Sequence, residues 1–328
     1  MNVFLTFDYE LFFGSATGTV QKCMIEPTNR LLDLSRKYNA PMTFFVDVGY
    51  LIALERQMET HSILKMDYDL VIDQIQEMIV AGSDVQLHIH PHWEKSSFDG
   101  KQWNIVTKNA YKLADFSAEE RERIIRTYKA KLDAIIGRKT HTFRAGGWCI
   151  QPFDQLEKLF QELEIRYDSS VFPGGRMEAG EYAFDFRNAP TNDKYRFQSD
   201  VCKEEPTGFF TEFPIASFRY SPLFYWRLYL WGRLNPVSHK MLGDGIFMAQ
   251  PGRKKQVLTH FTWNHASTDG FYATKLHKIT KTAFKQKTKN VVIIGHPKSC
   301  TLYSLKLVER YLKAFSELCC FTTFNRLP

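Results

Sequence analysis

Apolar runs alternate with amphipathic stretches along most of the chain. Short and almost wholly apolar segments such as NVFLTFD, PMTFFVDVGY and NVVIIGHPK have the length and composition of strands buried on both faces of a sheet. Between them, EPTNRLLDLSRKYN and the stretch from Met66 to Ala81 carry apolar residues at helical spacing. A third helix is expected in SAEERERIIRTYKAKLDAIIG, which opens with a capping box and ends at Gly137. About seven such βα units predict a parallel sheet and favour one closed into a barrel.

The alternation is interrupted between about Phe172 and Lys255, and it resumes with QVLTHFTWN, which we interpret as a strand. The interrupted stretch is rich in Gly, Pro and aromatic residues, with GFFTEFPI as its one strand-like piece. We interpret residues 172–255 as an insertion in a single domain that spans 1–328. Loops over a barrel mouth commonly set substrate choice, so specificity is expected here.

The aromatic run SPLFYWRLYLW within this insertion has two possible roles. An amphipathic aromatic segment with arginines can lie at a membrane interface, which makes residues 221–236 a candidate for weak membrane-surface contact. The same run could equally form a lid or a packed helix. The sequence leaves both interpretations open.

Composition is that of a soluble globular enzyme, with 44% apolar and 24% charged residues. The N-terminal MNVFLTFDYE is typical of a strand and lacks the features of a secretion signal, so a cytoplasmic location is expected. Six scattered cysteines without a CxxC pair are consistent with buried thiols in a reducing compartment. The net charge of +7 suits an anionic substrate or an acidic membrane surface, whereas dispersed basic residues and the lack of a reader motif argue against a nucleic-acid partner.

Three histidines mark the end of the predicted strand DVQLHIH. His88 and His90 would share one face because side chains alternate along a strand. Pro91 ends the strand, so His92 can turn back toward the same ion. Imidazoles at such short spacing indicate a metal site, and whether His90 or His92 is the second imidazole ligand stays open.

Other polar residues also fall at predicted strand ends. Asp8 and Glu10 share a face of the first strand, which is costly unless a positive group lies between them. Arg144 ends HTFRAGG, Asp168 lies in IRYDSSV, and His296 follows four β-branched residues. Since parallel-sheet proteins place their chemistry at the carboxyl ends of strands, we expect these side chains to converge.

Six segments in this order, TFDYE, TFFVDVG, LHIHPHW, FRAGGW, YDSSV and IIGHPK, resemble the metal-dependent polysaccharide deacetylases with a NodB homology domain. The resemblance covers about residues 1–175 and 255–328 and leaves the aromatic-rich insertion outside it. It implies an α/β fold, a distorted, TIM-like (β/α)7 barrel. It also implies a divalent metal, Zn²⁺ first, with Co²⁺ or Ni²⁺ as alternatives.

The resemblance further implies a role for each matching residue. The implied catalytic residues are Asp8 as general base, His296 as general acid, Arg144 as the group that holds the base, and Asp168 as the partner of the histidine. The implied metal ligands are Glu10, His88 and His92, with Asp8 as the alternative to Glu10; strand geometry favours Glu10. The chain departs from the family pattern by having Glu10 two positions after Asp8 in place of two adjacent aspartates, and Gly146-Gly147-Trp148 in place of the usual proline-tyrosine after the arginine.

Substrate contacts can be suggested only in outline. Backbone amides of Gly146 and Gly147 are candidates for holding an oxyanion. Tyr9, Trp93 and Trp148 are either a sugar platform or core residues.

The function implied by the resemblance is hydrolysis of an acetyl group, N-acetyl first, from a carbohydrate. Because no export signal is evident, the expected substrate is an acetylated sugar in a nucleotide- or lipid-linked glycan precursor of a surface polysaccharide. Two alternatives remain: an amidase of another C–N substrate on the same barrel, and a carbohydrate-binding barrel without catalysis. The sequence does not indicate the oligomeric state.

Overall fold

A curled, largely parallel sheet surrounded by helices forms the centre of the computed structural model, which describes residues 1–327. The strands are β1 Asn2–Tyr9, β2 Met42–Asp47, β3 Asp84–Ile89, β4 Ser97–Phe98, β5 Trp103–Asn104, β6 Thr142–Ala145, β7 Tyr167–Asp168, β8 Arg176–Ala179, β9 Tyr182–Asp185, β10 Tyr195–Phe197, β11 Phe210–Glu212, β12 Ser217–Tyr220, β13 Thr262–His265, β14 Asn290–Gly295 and β15 Cys320–Phe321. The α-helices are α1 Glu26–Tyr38, α2 Val48–Met58, α3 Ile63–Val80, α4 Ala118–Ile136, α5 Asp154–Glu162, α6 Pro222–Leu234, α7 Pro236–His239, α8 Arg253–Thr259, α9 Leu276–Lys285 and α10 Leu302–Phe315.

The central sheet has the strand order β10-β11-β7-β6-β3-β2-β1-β14, with β15 also beside β1. Its pairings are parallel except for β10 with β11. The sheet curls back on itself through single parallel bridges, from Ile215 to Val292 and from Ser267 to Ile294. The predicted α/β barrel class is confirmed, and its closure is irregular because β14 meets short connecting segments on this side.

Buried strands and amphipathic helices account for most of the core. All six residues of β2 and all six of β3 are buried, as expected for strands covered on both faces. Helix α2 was missed by the sequence analysis, which read VGY as the end of the preceding strand. Only Asp47 separates the apolar run of β2 from the apolar start of α2, so hydrophobic pattern alone could not separate the two elements.

The stretch 172–255, predicted to be an insertion, has two structural parts. Its first part adds β10 and β11 to the central sheet, so it belongs to the barrel framework. Its second part contains β12 and the helices α6 to α8. The strand expected in QVLTHFTWN is partly wrong, because α8 occupies its first residues and β13 begins only at Thr262, where it pairs with β12. Across residues 1–327, no helix is both long and apolar enough to cross a lipid bilayer.

Candidate active site

The carboxyl ends of β1, β3, β6 and β14 bring the predicted residues to one end of the barrel. They open into a cavity of about 750 Å³, whose inner wall includes Asp8, Glu10, His90 and His296. The parallel order of the strands explains this convergence, because strands that run in the same direction end at the same edge. The structure brings Asp8, Glu10, His88, Arg144 and His296 together, as the strand order led us to expect, whereas Asp168 lies in a separate pair.

Asp8 and Arg144 form a buried ion pair. Nη1 of Arg144 donates to Oδ1 of Asp8 over 2.7 Å, and both side chains are almost fully buried. The guanidinium also donates to Thr6 and to Ser169, and it lies 4.1 Å from the centre of the Phe45 ring. Burial raises the pKa of Asp8, but the charge of Arg144, together with those of His88 and His296, outweighs it and the pKa lies below its usual value. Asp8 is therefore held as a carboxylate in a fixed orientation.

Glu10 lies at the centre of a cluster with two imidazoles. Oε2 of Glu10 is 3.1 Å from Nε2 of His88 and 2.6 Å from Nε2 of His90, the latter in a geometry that does not make a hydrogen bond. Burial raises the pKa of Glu10, but Lys298 and the two imidazoles overcome it and hold the pKa well below the usual range. Candidate ligand atoms of Glu10, His88 and His90 all lie within 4.8 Å of one another.

The hydrogen bonding of His88 indicates why these residues suit a metal ion. Its Nδ1 lies 2.8 Å from the carbonyl oxygen of Arg144, which can only accept, so Nδ1 carries the hydrogen. In the neutral ring, Nε2 then directs a lone pair at the Glu10 carboxylate, an arrangement that calls for a cation or a second proton between them. A backbone carbonyl behind the ring is the usual support of a ligating histidine. Two imidazole nitrogens and one carboxylate oxygen fit a zinc-class ion.

His92 lies outside this cluster, although the family resemblance implies that it is a ligand. Its ring is fully buried against Phe13, with 4.5 Å between ring centres, and close to Tyr111. Burial, followed by the charge of His90, lowers the pKa of His92 well below its usual value. The geometry favours His90 as the second imidazole, which was the open alternative, because His88 and His90 lie on the same face of the strand and its extension.

Asp269, and not Asp168, is the acid that contacts His296. Oδ2 of Asp269 lies 2.8 Å from Nδ1 of His296, and Oδ1 accepts the backbone N–H of the same residue over 2.8 Å. Burial lowers the pKa of His296, but Asp269 and then Asp8 overcome it, so the pKa is raised. Asp168, the partner expected from the resemblance, makes its hydrogen bonds to Ser170 instead.

Asp168 instead belongs to a second pair of buried acids. Its carboxylate accepts the backbone N–H and the hydroxyl of Ser170, each over 2.9 Å. The register of β7 and β11 places Glu212 directly beside it, and burial together with the Asp168 charge raises the pKa of Glu212 well above its usual value. Burial also raises the pKa of Asp168, so the surroundings of this pair favour the neutral form of a carboxyl group, above all that of Glu212.

Two residues of the site were missed by the sequence analysis. Asp269 lies two residues after Ser267, which forms a bridge to β14. An acid near the end of a sheet-forming segment is a signal by which Asp269 could have been identified. Lys298 lies two residues after His296, is 3% exposed, and donates to Oε1 of Glu10 over 2.8 Å and to the backbone oxygen of Leu11. A lysine after a predicted strand end is usually solvated, and nothing in the sequence pattern marks this one as buried.

Gly146 allows the polypeptide to pass close to the histidine cluster. A Cβ atom at this position would lie 2.6 Å from Nδ1 of His90 and 2.6 Å from the backbone oxygen of Ile89. Gly147 adopts a φ of 58°, and it lines the cavity. This close approach gives a structural reason for the two glycines that replace the family's proline-tyrosine.

Of the three aromatic residues proposed for sugar contact, two are core residues. Tyr9 is fully buried and donates to Gln74, and Trp93 is fully buried and donates to Asp47. Trp148 lines the cavity beside His265, with 4.9 Å between the ring centres. It is the one of the three that a substrate in the cavity could touch.

Comparisons of structure identify proteins with the same fold, whereas comparisons of sequence do not. No protein-family model matches the chain, and no curated protein matches its sequence. A chain from Mycobacterium smegmatis assigned to the polysaccharide deacetylases superposes with a TM-score of 0.52 at 12% identity, over 99% of this chain and 87% of that one. Puue allantoinase gives 0.53 at 12% identity over the same shares. A Pseudomonas aeruginosa PAO1 chain, also assigned to the polysaccharide deacetylases, gives 0.50 at 10%, over 99% and 88%. The chain therefore has the barrel fold seen in polysaccharide deacetylases, as its six short motifs led us to expect.

Proposed function

We propose that this chain is a metal-dependent hydrolase that removes an acetyl group, N-acetyl first, from a carbohydrate. The observation that carries the proposal is the placement of Asp8 and His296. Oδ2 of Asp8 lies 3.6 Å from Nε2 of His296 at the inner end of the cavity, next to the cluster of Glu10 with two imidazoles. A base and an acid beside a candidate metal site match the needs of amide hydrolysis.

Asp8 is suited to the role of general base. Arg144 keeps its pKa low and leaves Oδ2 directed toward His296 and the cavity. A water molecule that attacks the acetyl carbonyl would lose its proton to this oxygen. The guanidinium has four protein acceptors, so it cannot turn away from Asp8 without leaving buried donors unsatisfied.

His296 is suited to the role of general acid. Nδ1 is held by Asp269, and Nε2 points into the cavity toward Asp8. The carboxylates around the ring favour the imidazolium, so a proton is available for the departing sugar nitrogen. Without this proton the nitrogen would have to leave as an amine anion.

Glu10, His88 and His90 would hold the metal, with His92 as the alternative imidazole implied by the family pattern. When bound, a zinc-class ion supplies Lewis acidity that polarises a carbonyl oxygen and activates water. Lys298 occupies the other oxygen of Glu10, which leaves Oε2 for the ion.

The substrate that fits this cavity is an acetylated sugar within a larger glycan precursor. Trp148 and Tyr182 supply aromatic walls near the reacting groups, and aromatic faces are the usual platform for a sugar ring. Arg233 and Arg253 lie in the outer wall, where they would favour an anionic group linked to the sugar. We infer a surface-polysaccharide precursor as the substrate class.

An amidase that acts on another C–N bond is the second candidate. The allantoinase named above has the same fold, and the same base, acid and metal would serve hydrolysis of another C–N bond.

Release of acetate from a panel of N- and O-acetylated sugars, with Zn²⁺, Co²⁺ or Ni²⁺ added to chelator-treated protein, tests the proposal. Asp8→Asn and His296→Ala serve as inactive controls, and far-ultraviolet circular dichroism shows whether each is folded. Metal-dependent acetate release lost in both variants supports a deacetylase. Turnover confined to a parallel panel of ureides and small amides would replace it with the amidase, and no turnover on either panel would replace both with a binding protein.

A further inference from the structure

Helix α6 exposes an apolar stripe that no part of residues 1–327 covers. Leu223, Trp226, Leu230 and Leu234 recur at helical spacing, and their exposed fractions are 57%, 58%, 55% and 66%. Trp231 beside them and Val237 in α7 are exposed as well, by 48% and 78%. A contiguous apolar surface of this kind normally marks a binding surface.

The same part of the chain carries an excess of positive charge. Between Phe213 and Thr268 the sequence has seven Lys and Arg residues and one carboxylate, that of Asp244. Asp244 bonds to Thr19. Among residues 1–327, none of those seven cations forms a salt bridge, although many Lys and Arg residues elsewhere do. The seven are Arg219, Arg227, Arg233, Lys240, Arg253, Lys254 and Lys255. These cations therefore remain available to an anionic partner.

Helix α6 also forms part of the wall of the candidate active site. Its buried side, Phe224 and Tyr225, packs on Tyr220 and Tyr272. A second side, which includes Tyr229 and Arg233, lines the cavity. The exposed stripe is the third side of the same helix, so a surface that contacts it lies next to the cavity.

We propose that α6 docks this chain on the surface of an anionic lipid bilayer. Trp and Leu side chains would enter the headgroup region, and Arg227, which lies beside the stripe, would keep its charge at the phosphates while its stem remains among the apolar residues. Clustered cations near a membrane surface strengthen binding when the lipids are anionic.

Charge distinguishes the bilayer from a second copy of this chain as the occupant. A two-fold dimer brings the same patch of each copy together, so the unpaired cations of both copies would face one another. An anionic bilayer offers the complementary charge over an extended plane.

This docking surface narrows the substrate class. This step rests on the proposed function. The substrate would be an acetylated sugar joined by a phosphate to a lipid, and the lipid would lie in the bilayer beside α6. The sugar would enter the cavity past Arg233, Arg253 and Lys254, which can meet the phosphate.

Flotation with vesicles tests the docking without substrate. The protein is mixed with vesicles of phosphatidylcholine alone or with 30% phosphatidylglycerol, at low and at high salt. We expect flotation with the anionic vesicles at low salt, and at least a tenfold lower bound fraction with neutral vesicles. The triple variant Trp226→Ser, Leu230→Ser, Trp231→Ser should bind at least tenfold less.

Two further variants serve as matched comparisons. Val80→Ser with Leu318→Ser removes apolar side chains that are 87% and 64% exposed outside α6, and it should float like the wild type. Arg227→Gln with Lys255→Gln should weaken binding to anionic vesicles only. Far-ultraviolet circular dichroism and acetate release from a soluble acetylated sugar show whether each variant is folded, and the latter also tests the proposed function by itself.

Absence of flotation with any vesicle, or equal flotation of the triple variant, would overturn the docking proposal even if acetate is released from soluble sugars. Light scattering that shows a dimer in the wild type and a monomer in the triple variant, without flotation, would assign the stripe to a second copy instead. Conversely, flotation without turnover would keep the docking surface and remove the deacetylase.

Discussion

Asp269 contacts His296 at both its backbone and its ring, with 2.8 Å in each contact. Because a carboxylate only accepts, Nδ1 of the imidazole carries a hydrogen, and Nε2 is the nitrogen that faces Asp8 at 3.6 Å. One acid thus fixes the position, the tautomer and the charge preference of the proposed general acid.

Replacing Asp269 should therefore change the pH dependence of turnover. His296 must be protonated to donate, so activity is expected to fall as pH rises through its raised pKa. Asp269→Asn removes the largest favourable charge on the imidazolium, which lowers that pKa and moves the alkaline decline to lower pH. We expect kcat to fall about 100-fold near neutral pH, measured as acetate release across a pH series.

Asp168→Asn is the matched comparison, because Asp168 was the partner expected from sequence. It contacts Ser170 and Glu212, so its replacement should change kcat less than about threefold and leave the alkaline decline in place. A shift of that decline in Asp168→Asn but not in Asp269→Asn would restore the sequence-based assignment.

The metal ligands can be separated by single substitutions at His90 and His92. His90→Ala removes a nitrogen 2.6 Å from Glu10, and we expect zinc affinity to fall by about 100-fold or more. His92→Ala removes a ring outside the cluster and should reduce affinity by less than about tenfold. Calorimetric titration of chelator-treated protein with Zn²⁺ gives both values, and the reverse ranking would establish the pair implied by the family pattern.

The parts of the fold that could be predicted from the sequence are the strands and helices whose own residues carry a recognisable hydrophobic or capping pattern. Buried strands such as β2 and amphipathic helices such as α4, with its capping box at Ser117, are local in origin. Asp8, His88 and His296 could be identified from the sequence for the same reason, because each lies at the end of a recognisable apolar strand. Their convergence then followed from the parallel order of the strands.

The remainder depends on packing between distant segments. Asp168 and Asp269 both lie close to sheet-forming segments, so the sequence does not show which of them contacts His296. Only the register of β7 with β11 shows that Asp168 lies beside Glu212. The burial of Lys298 depends on Glu10 and Leu11, which are nearly 290 positions away. No local pattern carries such information, and the same is true of the exposure of α6.

The raised pKa of Glu212 beside Asp168 predicts that the stability of the protein depends on pH. Folding raises the pKa of Glu212, so its protonated form is favoured in the folded state. Its contribution is fully present below the unfolded value, near 4.5, and is lost as pH rises toward the folded value. Glu212→Gln is a permanently neutral substitute that can donate to Asp168 and still accept from Val171.

We expect Glu212→Gln to melt on the order of 2 °C above the wild type at pH 8, with the difference vanishing near pH 4.5. Differential scanning calorimetry at both values of pH measures it. An unchanged difference between the two would mean that Glu212 keeps the same charge in the folded and unfolded chain. Glu205→Gln, at a partly exposed position, should show no such pH dependence.

Lys298 is expected to limit metal affinity while it stabilises the fold. Its ammonium lies 2.8 Å from Oε1 of Glu10, and a positive charge so close opposes a second cation on the same carboxylate. Lys298→Met removes the charge and keeps an unbranched side chain against Phe12 and Phe13. Zinc affinity should rise about tenfold, equivalent to about 1.4 kcal/mol. The melting temperature of the metal-free protein should fall, because Glu10 and the backbone oxygen of Leu11 lose a buried donor.

Lys298→Arg keeps the charge and should not tighten zinc binding. If Lys298→Met binds zinc more weakly than the wild type, the ammonium helps to organise the metal site and does not compete with the ion.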